Sequence, residues 1–456
     1  MTEGPPDDQR SLIERALGLV TDVRAGEGGT ALLMSLNLFL LLGAYYVIKP
    51  IREALILAMA SGAQYKSYMS GVIAIGLLFA VPAYSAFAKR VPRNRLVVSV
   101  TLFFASNLVL FYLASLSDTI RPWLGLLFFF WVGIFNMMVV AQLWAFANDI
   151  YDEAAGERIF PLIGVGASVG SLAGSIYGIA TRGANVYVMM LAAAGMLVVV
   201  AVLSQVVHRR EVEREARADT PPPPPPKDSG GGAFGLVFKT PYLLLIAIFT
   251  ALFTLVNTNG EFMVGTLVSD WASQVEAAGE LPAGMDKRSF IKAFFDEFYF
   301  WVNGAGVFLQ LFVVSRVVKY GGLRIAFFIL PVVALLDATL VSIVPILAIL
   351  RIGKIAENSL DYSLNNTVRN MLWLPTTREM KYRAKQAIDS FFVRMGDVGS
   401  ALFVFLMADL AGFGVRAFAI TNAVMIVGWI AVAWMILKQR TAMLEAQGIQ
   451  EEADAH

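Results

Sequence analysis

Glu211–Gly232 reads EVEREARADTPPPPPPKDSGGG: a charged run, six prolines at Pro221 to Pro226, then three glycines, near the middle of a 456-residue chain. Polyproline holds such a stretch extended and the glycines loosen its far end, so it reads as a cytoplasmic tether and not as a packed element. On both sides the composition is the reverse. The chain is 57% hydrophobic with a mean hydropathy of +0.65, and its apolar residues come in long runs rather than amphipathic stripes. Such runs need a bilayer more than they need a soluble core. Those centred near residues 40, 77, 106, 135, 168 and 195 precede the tether, and those near 251, 306, 333, 358, 395 and 425 follow it. Each is long enough to span, about 20 residues.

The expected fold is therefore an all-α polytopic membrane protein with twelve transmembrane helices. Its parts are a tail over 1–29, a six-helix bundle over 30–207, a linker over 208–240, a second six-helix bundle over 241–438 and a tail over 439–456. The bundles look like copies. Arg90 and Arg95 return 229 positions later as Lys319 and Arg324, Arg209 as Lys438, and Val169-Gly170-Ser171 as Val398-Gly399-Ser400. Internal symmetry of this kind points to the six-plus-six, pseudo-twofold major facilitator fold, whose site lies near the midplane between halves.

Basic residues cluster in alternate loops: Lys89, Arg90, Arg93 and Arg95; Arg209, Arg210, Arg214 and Arg217; Arg316, Lys319 and Arg324; Arg378, Lys381, Arg383 and Lys385. The positive-inside rule places these loops, and both termini, in the cytoplasm. Met1 to Gly29 lacks the apolar core of a signal peptide, so the first helix is expected to direct insertion. Ser11 and Glu14 have capping-box spacing ahead of a short apolar face, which fits an interfacial helix or a frayed tail.

Composition also narrows the chemistry. A net charge of +1 gives no reason to expect a nucleic-acid partner, and zero cysteines remove disulfides, thiolate nucleophiles and cysteine metal sites. The two histidines, His208 and His456, sit in a loop and a tail. No metal, no cofactor and no enzymatic activity are expected.

Function is sought in the charges that lie inside apolar helices. Arg351, Lys354, Asn358, Asp361, Asn365 and Arg369 fall within about 80° of one helix face at 100° per residue. Ionisable groups at membrane depth are costly unless they meet a partner or a wet cavity, so this stripe reads as the wall of a polar pathway, with an ion-paired packing seam as the alternative. Lys49 and Arg52 flank Pro50 near the end of the first helix and suit an anion, Arg by its planar fork and Lys as a point charge. Their other reading is snorkelling to the outer interface. Glu53, and Glu261 at nearly the same place in the second half, together with Asp361, Asp389 and Asp397, are candidate gating or coupling carboxylates. Arg394 is expected to pair with Asp389, with Asp397 or with the stripe. Asp296 and Glu297 lie near a loop and read as solvated. Gly164 to Ser171, GVGASVGS, lacks the strand and lysine of a phosphate loop; Gly166, Gly170, Gly174 and Gly178 instead mark a face for close helix approach.

YYVIKPIREAL at 45–55, WAFANDIYDEAAGERIFPLIGVGASVGSLAGS at 144–175, KIAENSLDYSLNNTVRNMLWLP at 354–375 and KYRAKQAIDSFFVRMGD at 381–397 resemble the ATP:ADP antiporter family of bacteria and plastids. The resemblance implies the twelve-helix facilitator fold and exchange of nucleotides, with basic side chains reading the phosphates. The chain departs from that pattern at four places. Pro50 stands for an acid, Ala155-Gly156-Glu157-Arg158 keeps only the arginine of an entry resembling Glu-Ala-Lys-Arg, and Gly265 and Asp397 stand where the family has lysines. On this reading Lys49, Arg52, Arg351, Lys354, Asn358 and Arg394 contact a small anionic solute, with nucleotides among the candidates, in an alternating-access carrier surrounded by membrane lipids. The other readings are a carrier or flippase of a charged-headgroup lipid or amphiphile, and a non-transporting membrane sensor or scaffold.

Overall fold

A computed structural model describes residues 23–24, 27–88, 90–151, 153–218, 233–377, 380 and 384–446. The tail with the Ser11 capping box, the proline run and the loop cations Lys89, Arg378, Lys381 and Arg383 lie outside the described residues. Among the described residues every regular element is helical, as expected where lipid offers backbone amides no partner outside their own segment. The main helices are α1 (Gly28–Leu57), α2 (Gly62–Ala88), α3 (Arg93–Ser115), α4 (Leu124–Ile150), α5 (Glu153–Ala180), α6 (Val186–Ala218), α7 (Pro241–Ala277), α8 (Lys287–Phe308), α9 (Val314–Ile343), α10 (Leu347–Leu360), α11 (Val393–Val404) and α12 (Val415–Ala446).

Among the described residues ten segments are long and apolar enough to cross a membrane. One of them, Lys287–Ile343, runs 57 residues and is broken at Gly322, whose φ of 63° is open to glycine at no steric cost. The break falls between the basic residues Lys319 and Arg324, where the sequence places a loop. The charge-striped segment 347–371 is not among the ten. It carries Arg351, Lys354, Glu357, Asp361 and Arg369, and its helix is interrupted by a π turn at Asp361–Asn365 before continuing as Asn366–Met371. The all-α, polytopic character agrees with the expected fold class; the segments that qualify among the described residues number ten where the sequence suggests twelve.

The chain divides into two compact units. The first gathers the described residues of Met1–Leu55, Leu77–Pro226 and Leu281–Phe300, the second those of Ile56–Gly76, Lys227–Glu280 and Trp301–His456. Both α2 and α8 are therefore shared, each giving its opening residues to one unit and its remainder to the other.

In the first unit α3 lies along α6, and α5 lies on α1. A side chain at Gly166, Gly170 or Gly174 would overlap the carbonyl oxygens of Ser35, Phe39 and Gly43 in turn. The glycine stripe is thus a backbone contact surface, as its spacing implies, and close approach replaces the hydrophobic drive that lipid does not supply. Gly170→Ala should cost about 1–3 kcal/mol through overpacking. The check is a thermal melt in detergent, in which Gly164→Ala, a position with open space, leaves the midpoint unchanged.

Helix α6 stays helical to Ala218, so Glu211 to Ala218 belong to it. Glu211 is buried there and accepts from Thr30 Oγ1 at 2.9 Å. In the second unit α9 packs on α12, and α7 carries both α11 and α12, around Phe249, Phe327 and Trp429. Phe249 stacks on Phe327 at 4.8 Å and tilts against Trp429 at 5.3 Å.

Candidate functional site

Lysine on an apolar helix needs neighbours, and the end of α1 supplies them from its own preceding turn. Tyr45 and Tyr46 lie four and three residues before Lys49, the spacing at which helical side chains meet. The Lys49 ammonium sits over the Tyr299 ring of α8 at 4.1 Å, with Tyr46 at 5.3 Å and Tyr45 at 5.9 Å. Lys49 is buried, so it does not snorkel. Arg52 lies over the Phe129 ring of α4 at 4.6 Å and donates through Nε and Nη2 to Glu53 Oε1, the Nε contact being 3.1 Å. Glu53 is fully buried. The cluster holds two cations and one acid among aromatic faces, all within the first unit. Such faces accept cations and also stack planar rings.

The second unit holds the larger ionic cluster. Lys354 on α10 is 1% exposed and donates to Asn257 Oδ1 on α7 at 2.8 Å and to Glu357 Oε2 one turn along at 2.7 Å. Gly260 leaves space for its stem: a Cβ there would stand 3.0 Å from the ammonium. Glu261 accepts from Asn358 Nδ2 and from Lys66 Nζ of α2, each at 3.3 Å. Asp337 of α9 packs over Gly353, where any side chain would overlap its carboxylate, and faces Glu357. Helices α2, α7, α9 and α10 thus meet through three carboxylates and two lysines. Unpaired, each of these charges would be costly at membrane depth; together they are satisfied but exchangeable.

The rest of the stripe separates from this cluster. The π turn shifts the register, so the regular-helix face predicted for 351–369 is not kept throughout. Asp361 accepts from Asn365 Nδ2 at 2.7 Å, and Arg369 leaves the row to pair with Asp389 at 2.9 Å. Arg351 is half-buried at the start of α10. Arg394 resolves to Asp397 on its own helix at 2.7 Å, and Thr258 Oγ1 donates to the other oxygen of Asp397 at 3.2 Å. Asn259, Ser400 and Asn422 form a buried bond set tying α7 to α11 and α12.

One reading is overturned. Asp296, expected to be solvated beside its loop, is wholly buried and pairs with equally buried Lys292 at 2.7 Å, four residues earlier on α8. Lys292 also donates to the Gly178 carbonyl at 3.3 Å, the missing side chain of Gly178 making room for the Asp296 carboxylate. The i,i+4 spacing of Lys292 and Asp296 was visible in the sequence and is the signal that finds them. Glu297 does lie nearer solvent, paired with Arg182. Arg158, the one arginine kept from the family's fifth-helix entry, makes a two-bond fork to Glu27 at 3.0 Å. Sequence reasoning also passed over Lys66, Asp337 and Glu357. Asp337 interrupts VALLDATLV, and a lone acid in such a run is by itself a functional signal.

Known proteins place these clusters in context. Solved transporters share the architecture at low identity: a bacterial homologue of the human lysosomal transporter Spinster covers 91% of this chain and 98% of its own at TM-score 0.58 and 13% identity. The peptide transporter PepTSo gives 0.59 with 89% and 98% covered at 13% identity, and the nucleoside transporter NupG 0.56 with 91% and 98% at 13%. In sequence, ADP,ATP carrier protein 1 of Chlamydia trachomatis is 22% identical over 59% of this chain, and its counterpart in Chlamydia muridarum 23%. The chain spans 55% of the length of those relatives. The family model for the TLC ATP/ADP transporter matches residues 113–443, a stretch that takes in the glycine stripe and the α10 cluster apart from Lys66, but not Lys49, Arg52 or Glu53. On that match the chain belongs to the TLC ATP/ADP transporter family.

Proposed function

We propose that this chain is an alternating-access carrier, not an enzyme, that moves an anionic, nucleotide-like solute across a bacterial inner membrane through twelve spans, with both termini cytoplasmic. The observation that carries the reading is the buried lysine of α10, held by Asn257 and Glu357 alone among its hydrogen-bond partners described here. Both partners are exchangeable for phosphate oxygens. Lys49 and Arg52, set among tyrosine and phenylalanine faces, suit the phosphate and base of a nucleotide in the same way. Asn358, Arg351 and Arg394 are proposed as further solute contacts, and Glu53, Glu261, Asp361, Asp389 and Asp397 as groups whose pairs break and re-form during the cycle. The bundles proposed are those of the sequence, 30–207 and 241–438, with 208–240 between them, of which the residues to Ala218 continue α6.

The direct test is uptake of radiolabelled ATP or ADP into proteoliposomes, with and without ADP inside. Exchange stimulated by internal ADP is expected, with Lys49→Gln raising the half-saturating concentration; uptake at the level of protein-free vesicles overturns the nucleotide reading. A second reading, a carrier of a charged-headgroup amphiphile, is favoured by one feature. Three carboxylates surround two lysines in the α10 cluster, so this side alone does not neutralise a polyphosphate. A fluorescent phospholipid moved between leaflets by the same vesicles, with no nucleotide exchange, would establish it.

A further inference from the structure

The first unit carries an apolar concavity lined by none of the residues of the two ionic clusters. Ala80, Ala83, Tyr84 and Phe87 of α2, Ser99, Val100, Phe103 and Phe104 of α3, and Phe130, Trp131, Ile134 and Met138 of α4 line a groove of about 500 Å³. Its size falls within the range of ligand pockets. The groove has a local cause. Pro82 interrupts the α2 hydrogen-bond ladder, and Ala80 and Ala83 leave gaps on either side of it where a bilayer-facing helix would ordinarily present large side chains.

Its floor is rigid. Trp131 stacks on Phe135 at 5.3 Å and on Phe128 at 5.5 Å, and Phe104 meets Trp131 at 5.6 Å. Phe87 and Phe103 stand exposed as its rims. Only Tyr84 and Ser99 among the lining residues bear a hydroxyl, so a polar solute has little to bond, whereas a hydrocarbon chain has aromatic faces along its length.

At one end the chemistry changes sign. Arg90 follows Phe87 by one turn, its amide bonded to the Phe87 carbonyl at 3.0 Å. Arg95 precedes Ser99 by four residues and Phe103 by eight, on one stripe of α3, about 6 and 12 Å along the axis. Both guanidinium groups are exposed, and neither makes a hydrogen bond or ion pair among the described residues. Two exposed cations beyond the end of an apolar slot match a molecule with a phosphate head and an acyl tail.

We propose that this groove is a binding site for an anionic phospholipid, one acyl chain lying along Trp131 and Phe104 and the phosphate held by Arg90 and Arg95. The site stands independently of what the carrier moves, since none of its residues belongs to either ionic cluster.

The full chain, reconstituted in phosphatidylcholine vesicles doped with dibrominated phosphatidylglycerol or, at equal fraction, dibrominated phosphatidylcholine, tests it by tryptophan quenching. Bromine quenches on contact. Stronger quenching by the brominated phosphatidylglycerol is expected, the excess disappearing in Trp131→Phe and in the surface variant Arg90→Ala/Arg95→Ala, which leaves the packed groove untouched. Equal quenching by the two lipids overturns the proposal, as does an excess that survives the arginine variant. A groove filled by a second copy of the chain would show as cross-linked dimer with no quenching at Trp131 by either lipid, and would overturn it equally.

Discussion

Lys354→Met is expected to abolish the proposed nucleotide exchange and to lower stability by about 3–5 kcal/mol, the cost of leaving a buried carboxylate without its cation. The lysine is 1% exposed and its ammonium lies 2.7 Å from Glu357, so Glu357, with Asp337 beside it, loses its counter-charge. Adding Glu357→Gln removes one of the stranded charges and restores part of the stability. Transport is not expected to return with it, because the ammonium proposed to meet the solute is still missing. Thermal melts in detergent and counter-exchange in proteoliposomes, run on both variants, separate the two effects. A double variant that exchanges ADP at the parental rate would show that Lys354 only balances its neighbours.

Lys292→Met gives the contrasting result. Both members of the Lys292–Asp296 pair are fully buried, so the single substitution again costs about 3–5 kcal/mol. Here the repaired variant, Lys292→Met/Asp296→Leu, regains stability or exceeds the parent, since an apolar pair of similar volume spares the desolvation of two ions. Exchange per folded molecule is retained in that double variant, because the pair lies outside both clusters proposed to meet the solute. The measurement is again a melt with an exchange assay; a stable double variant that no longer exchanges would make the pair part of the transport cycle.

The difference between these two pairs shows where sequence reading succeeds. Long apolar runs, basic loops and the glycine spacing at 166, 170, 174 and 178 each reflect a local rule, and α5 packs on α1 through the first three of those glycines as the spacing implies. The charge stripe was legible as polar but not as geometry. Periodicity assumes one uninterrupted helix, and the π turn at Asp361–Asn365 adds a residue to the turn, so Arg369 leaves the row and meets Asp389 instead. Partners drawn from distant helices were hidden altogether. Nothing near Lys66 in the sequence indicates Glu261, and Asp337 meets Gly353 and Glu357 only because α9 crosses α10 at a glycine. Asp296 was misread for a related reason: proximity to a loop in sequence was taken for exposure, whereas the bare face of Gly178 buries it.

The central claim is that the polar face of α10 borders a path that water and solute share, and cysteine accessibility tests it most directly because the chain has no cysteine of its own. Asn358→Cys is placed beside Lys354 and Glu261, and the variant in vesicles is exposed to a charged, water-borne methanethiosulfonate. Modification from the aqueous phase, slowed by ADP and not by an equal concentration of an unrelated anion, is the expected result. A cysteine that stays unmodified from both sides of the membrane, or reacts at a rate no nucleotide changes, would contradict the account and leave the stripe a dry seam.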